Sequence, residues 1–226
     1  PLNLSLCAAL ASLLVAASAD AQVKQVKQGK QDVPVTQVTQ VTQVTQVTPV
    51  TQVTPVKRVV GFLAGGFAGL VAHEGGHIVT GLVQGANPGF RRLDYGVLPF
   101  FSVTHDPVSR RGEYVIASSG FHAQHLANEW LLRSPDTPFE KGWLAFNLAT
   151  SAVYTVAALG EFGPVERDTL GMATYAGDDG VPERLIGVLI LAPAALDGVR
   201  YALDDPAWAR WTSRAFKTGL LLLALR

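Results

Sequence analysis

Of 226 residues, 48% are hydrophobic and only 16% charged, with Lys+Arg and Asp+Glu at 18 each and a formal net charge of zero. That balance leaves no electrostatic footprint for nucleic acid, is poor in charge for a water-soluble domain of this length, and favours a membrane protein. The single cysteine, Cys7, excludes a disulfide framework and a cysteine-based metal site, so any metal must be held by His, Asp or Glu.

In chain order, residues 1–21 hold an apolar run from Leu4 to Ala17 that ends in Ala19-Asp20-Ala21, a small-residue pattern suited to signal-peptide cleavage before Gln22. Residues 22–56 form a triplet repeat, "VTQVTQVTQVTQVTP" at its centre, with Val in one phase. A period of three suits neither an amphipathic helix nor an alternating strand. One ridge of valines cannot build a core, so this segment is expected to be an extended or disordered linker without chemistry of its own.

After Lys57-Arg58 the composition changes, and residues 57–226 are expected to form an all-α, polytopic membrane bundle of four to five helices. Val59 to Val83 contains no Lys, Arg or Asp; as a helix it would reach about 37 Å, enough for a hydrocarbon core of about 30 Å. Glu113 to Leu132 is a weaker span, interrupted by His122, His125 and Glu129, and suits a buried helix. Gly142 to Leu159 and Leu185 to Leu203 are further spans, the second interrupted by Pro193 and Asp197. Ala207 to Leu225 starts with Trp208 and Trp211 and ends in a leucine run, as an interface-anchored last helix does. The segments between these spans, such as residues 163–183, read as polar connections.

The chemistry concentrates in "LVAHEGGHIVTG", residues 70–81. His73 and His77 stand four apart, so a helix projects both imidazoles from one face toward a single ion, and Glu74 lies beside them where it can take a proton from water. Two histidines and a glutamate are costly in an apolar span unless they bind something or one another. A catalytic zinc site has three protein ligands and an open position. Asp197 is the expected third ligand: it is an otherwise unpaired carboxylate in another apolar span, next to Gly198, which permits close helix approach. His122, His125 and Glu129, at helical spacings, can hold a second metal, add to the first, or line a water entrance; a hydrogen-bonded polar face is the plainer reading. His105 reads as a loop residue.

The HEGGH motif in a first apolar helix, followed by Leu196-Asp197-Gly198 in a later one, resembles the site-2 proteases, the intramembrane zinc metalloproteases. The resemblance covers residues 59–203. It implies Zn2+ held by His73, His77 and Asp197, Glu74 as the catalytic glutamate, and as substrate a membrane-embedded segment of another protein. The family often has an Asn and prolines before its LDG, where this chain has "LILAPAALDG" with Leu189 and a single Pro193. If so, the chain is a zinc metallopeptidase in contact with the lipid bilayer, with the linker on the extracytoplasmic side. The basic pairs Arg91-Arg92 and Arg110-Arg111 then fall in the cytoplasm. Competing readings are a non-catalytic membrane protein with a structural or metal-storing HEGGH helix, a multi-histidine di-iron oxygenase, for which five histidines are few, and a soluble zinc protease.

Overall fold

A computed structural model describes residues 54–95, 98–133 and 136–223. The expected signal segment and the linker up to residue 53 lie outside the described residues. Six helices and one hairpin follow in chain order: α1 (Pro55–Val83), β1 (Gly89–Tyr95), β2 (Leu98–Thr104), α2 (Arg110–Leu131), α3 (Pro138–Gly160), α4 (Asp168–Tyr175), α5 (Glu183–Ala202) and α6 (Ala207–Leu223). The helical class is as expected. The count of four to five is corrected to six among the described residues, because the connection after α3 folds a short helix of its own.

Three of the helices, α1, α3 and α5, are long and apolar enough to cross a membrane. Neither α2 nor α6 is among them. In α1 the apolar residues face outward: Val59, Leu63, Phe67, Val71, Val79 and Leu82 are exposed. The buried residues are Gly65, Gly69, His73, His77 and Gly81, one every fourth position along a single face. This inverts a water-soluble helix and suits lipid outside with small and polar groups inside. The α1–α3 contact shows why small residues are needed there. A Cβ on Gly65 would meet the Phe139 carbonyl oxygen at 1.9 Å, and one on Gly142 would meet that of Phe62 at 1.9 Å. The two backbones touch, side by side and parallel.

Local signals fix the helix starts. Pro55 opens α1 where its missing N–H costs nothing. Ser109 caps α2 by accepting the Gly112 N–H at 3.2 Å. Thr137 and Glu140 form a capping box on α3, with Pro138 just inside. The hairpin pairs antiparallel in register from Gly89 with Thr104 to Tyr95 with Leu98, and the Asp106 N–H to Ala86 carbonyl bond of 2.7 Å closes its base.

The main apolar core joins Tyr114 and Phe121 of α2, Met172 and Ala173 of α4, Ile186 and Ile190 of α5, and Leu220 of α6. It holds α4 in place. Polar anchors then set the position of that helix: Thr169 donates to Glu183 at 2.6 Å, Arg167 pairs with the same carboxylate at 2.6 Å, and Arg110 donates to the Thr174 carbonyl at 2.6 Å.

Candidate metal centre

Gly76 and Gly120 let α1 and α2 cross closely where the two histidines sit. A Cβ on Gly76 would lie 2.6 Å from the Ser119 carbonyl oxygen, and one on Gly120 would lie 2.6 Å from both His73 Nε2 and His77 Nε2. The imidazoles therefore fill the space that a side chain at position 120 would take. His73 and His77 are 2% and 6% exposed, and their rings stand 5.0 Å apart at 71°.

Asp168, the first residue of α4, meets the pair. Its Oδ2 lies 3.0 Å from His73 Nε2 and 3.3 Å from His77 Nε2, and the two Nε2 atoms are 3.4 Å apart. Bonds of about 2.0 Å to a tetrahedral ion would separate ligand atoms by about 3.3 Å. These three atoms thus outline one face of such a tetrahedron, and the group can hold a metal ion.

The proton positions favour the same use. His77 Nδ1 donates to the Ile116 carbonyl at 2.8 Å, which in the neutral ring leaves a lone pair on Nε2. That lone pair faces His73 Nε2 and a carboxylate oxygen, an arrangement that a bound ion, or a proton on His73 Nε2, can satisfy. Burial alone would raise the Asp168 pKa, but His77 and His73 outweigh it and hold the carboxyl well below the usual carboxylate range. Glu74 follows His73 on α1 and is partly accessible.

Asp197, the expected third ligand, stands elsewhere. It is fully buried, and its oxygens accept from Ser213 at 2.6 Å, Asn128 at 2.8 Å, Lys217 at 2.8 Å and Arg200 at 3.1 Å. In the structure the carboxylate beside His73 and His77 is Asp168, not Asp197. The carboxylate in an apolar span was unpaired in the sequence only because its cations lie in α6 and one turn further along α5.

Glu129 belongs to the same ion cluster, bonded to Arg200, Arg214 and Lys217 at 2.5, 2.9 and 2.7 Å. Burial pushes its pKa up, but these cations outweigh that and bring it down to about 2. His125 is 4% exposed with neither ring nitrogen partnered among the described residues, and burial, aided by Lys217 and His122, pushes its pKa down to about 3. His122 also has a buried, unpartnered Nε2. These three residues do not join the histidine–aspartate group. His105 lies in the loop after β2, donating to the Asp106 carbonyl at 3.0 Å and facing Glu113 at 3.6 Å.

Asp168 was missed because "VERDTLGMATY" carries no long apolar run. Its one signal is local: an acidic residue opening a short stretch whose Thr169, Met172 and Ala173 are buried on one side. No protein-family model matches the chain, and neither a curated protein nor a solved structure does.

Proposed function

We propose that this chain is a membrane-embedded zinc metallopeptidase that hydrolyses peptide bonds in or near the membrane-spanning segments of other proteins. His73, His77 and Asp168 are its metal ligands and Glu74 is its proton carrier. The observation that carries the reading is the convergence of three ligand atoms at 3.0 to 3.4 Å on one buried point, with His77 Nδ1 committed to a backbone carbonyl. Two neutral nitrogen donors and one oxygen suit zinc, and three protein ligands leave a position for water or substrate.

When bound, zinc supplies Lewis acidity, polarising a carbonyl and making water a far stronger acid. The chain's own residues do the rest. Glu74 accepts the proton of the attacking water and passes it to the departing amine. Ile116 holds the His77 ring through Nδ1, and Gly120 leaves room for both rings. The setting supports a membrane substrate: the histidines lie on a helix whose opposite side is apolar and exposed. A helical substrate must unwind locally to present its carbonyl, because its amides are otherwise bonded internally. The resemblance to site-2 proteases agrees on His73, Glu74 and His77 and differs at the third ligand.

Glu74→Gln tests the role of the glutamate. The variant should keep the metal and the fold while cleavage of a reporter carrying a transmembrane segment falls by at least about a hundredfold, the scale of general acid–base catalysis. Cleavage at the wild-type rate would remove Glu74 from the mechanism.

A further inference from the structure

Glu183, the first residue of α5, gathers the side chains on both sides of Asp168. Its Oε1 accepts from the Thr169 hydroxyl at 2.6 Å and from Arg167 Nε at 2.7 Å, and its Oε2 accepts from Arg167 Nη2 at 2.6 Å. Thr169 is fully buried and Glu183 is 8% exposed, so these bonds are shielded from water. A carboxylate facing a forked guanidinium makes hydrogen bonds of the strong, charge-assisted kind. Arg167 also donates through Nη1 to the Pro164 carbonyl at 3.0 Å, which carries the clamp back into the approaching loop.

The start of α4 needs such a clamp. Helices α2 and α3 open on the side-chain caps Ser109 and Thr137, whereas Arg167 at the N-cap of α4 makes no side-chain cap bond. A helix of 8 residues is marginal by itself and takes its place from its neighbours. Met172 and Ala173 seat the second half of α4 in the apolar core, but Asp168 lies a turn earlier, at its first position. Successive Cα atoms are about 3.8 Å apart, so holding residues 167 and 169 fixes the point from which the carboxylate between them starts. From there its Oδ2 reaches His73 Nε2 at 3.0 Å and His77 Nε2 at 3.3 Å.

Resting on the metal-centre reading above, we propose that Glu183 is a positioning residue for the candidate metal centre: by clamping Arg167 and Thr169 it presents Asp168 to the two imidazoles. Glu183 stands outside the ligand group and acts only through its neighbours. A carboxylate already in place spends no binding energy on being ordered when the ion arrives, so the clamp appears as metal affinity. Both flanking residues converge on one acceptor, so the loss of either bond loosens the same point.

The test is Zn2+ affinity of the detergent-solubilised full chain, measured by competition with a chromophoric chelator, for wild type, Glu183→Gln, Thr169→Val and Thr169→Ser. Valine keeps the shape of Thr169 and removes its donor, serine keeps the donor, and glutamine removes the charge that grips Arg167. Glu183→Gln and Thr169→Val should each bind Zn2+ about tenfold more weakly, while Thr169→Ser stays within about threefold of wild type. A merely structural role would lower the melting temperature of the metal-free variants and leave the Zn2+ affinity of the folded chain at the wild-type value, and that result overturns the proposal. Equal weakening by valine and serine at position 169 also overturns it, because the hydroxyl would then not be the group that matters. If Glu183→Gln does not fold, the valine and serine pair carries the test. Folded wild type that binds no Zn2+, or Asp168→Asn that binds it as wild type does, overturns the metal centre itself and this role with it; a wild-type site that depends on Asp168 but not on Glu183 or Thr169 overturns this role alone.

Discussion

Two aspartates divide the polar work of this chain. Asp168 faces two imidazoles, whereas Asp197 faces two cations, a hydroxyl and a carboxamide. A buried carboxylate that already accepts from Ser213, Asn128, Lys217 and Arg200 has its lone pairs occupied. Removing its charge takes one of two carboxylate partners from Lys217 and one of three from Arg200, so Asp197→Asn should destabilise the fold by up to about 3 kcal/mol while leaving metal stoichiometry unchanged. Thermal unfolding in detergent with parallel metal analysis separates the two effects, and metal loss without destabilisation would return Asp197 to the ligand set. The acid response has its own residue. In the folded chain the His125 pKa is about 3, against 6.5 unfolded. The unfolded state therefore takes up the proton first, and the stability from keeping His125 neutral is complete above pH 6.5 and lost as pH falls toward 3. Glu129, lowered from 4.5 to about 2, adds a loss in the same direction, confined to pH below 4.5. His125→Leu should flatten the decline in melting temperature between pH 6.5 and 4.5; an unchanged slope in that window would show that His125 is not the group responsible.

At the level of elements, the long helices were legible because apolar runs mark them. The expected spans at residues 113–132, 142–159 and 185–203 correspond to α2 at Arg110–Leu131, α3 at Pro138–Gly160 and α5 at Glu183–Ala202. The hairpin and α4 were not read. Both lie between long helices, are only 7 or 8 residues per element, and take their stability from neighbours. The same physics hid Asp168, which meets His73 and His77 only when α4 docks on α2 and α5. In the HEGGH helix the shared face of His73 and His77 was readable but the close-packed glycines were not. Gly76 and Gly120 are where α1 and α2 touch. Gly120→Ala would press a Cβ to within 2.6 Å of both His73 Nε2 and His77 Nε2. It should weaken Zn2+ binding at least about tenfold. Gly75→Ala meets nothing within 4 Å and should leave Zn2+ affinity unchanged, with up to about 1 kcal/mol of added helix stability. Equal affinities in the two variants, measured by chelator competition, would mean that α2 does not define the site.

For the whole molecule, three apolar helices suggest membrane association, and the exposed apolar side of α1 points the same way. Alkaline extraction should leave the chain in the membrane pellet. Introducing a charge on that side, as in Phe67→Lys, should hinder insertion by about 2.5 to 3.5 kcal/mol. Release of the wild-type chain into the soluble fraction would argue against spanning helices. Among the charge clusters of the described residues, two stand out: the centre where α1, α2 and α4 meet, and the ion cluster that ties α6 to α2 and α5. The first is proposed to do chemistry, and the second holds the helices together. The measurement that tests this division most directly is metal content by elemental mass spectrometry of the detergent-purified chain, comparing wild type with Asp168→Asn. The expected result is about one zinc per chain in wild type and a strong loss in the variant. Full zinc retention in Asp168→Asn, or folded wild type without zinc, would contradict the proposed centre.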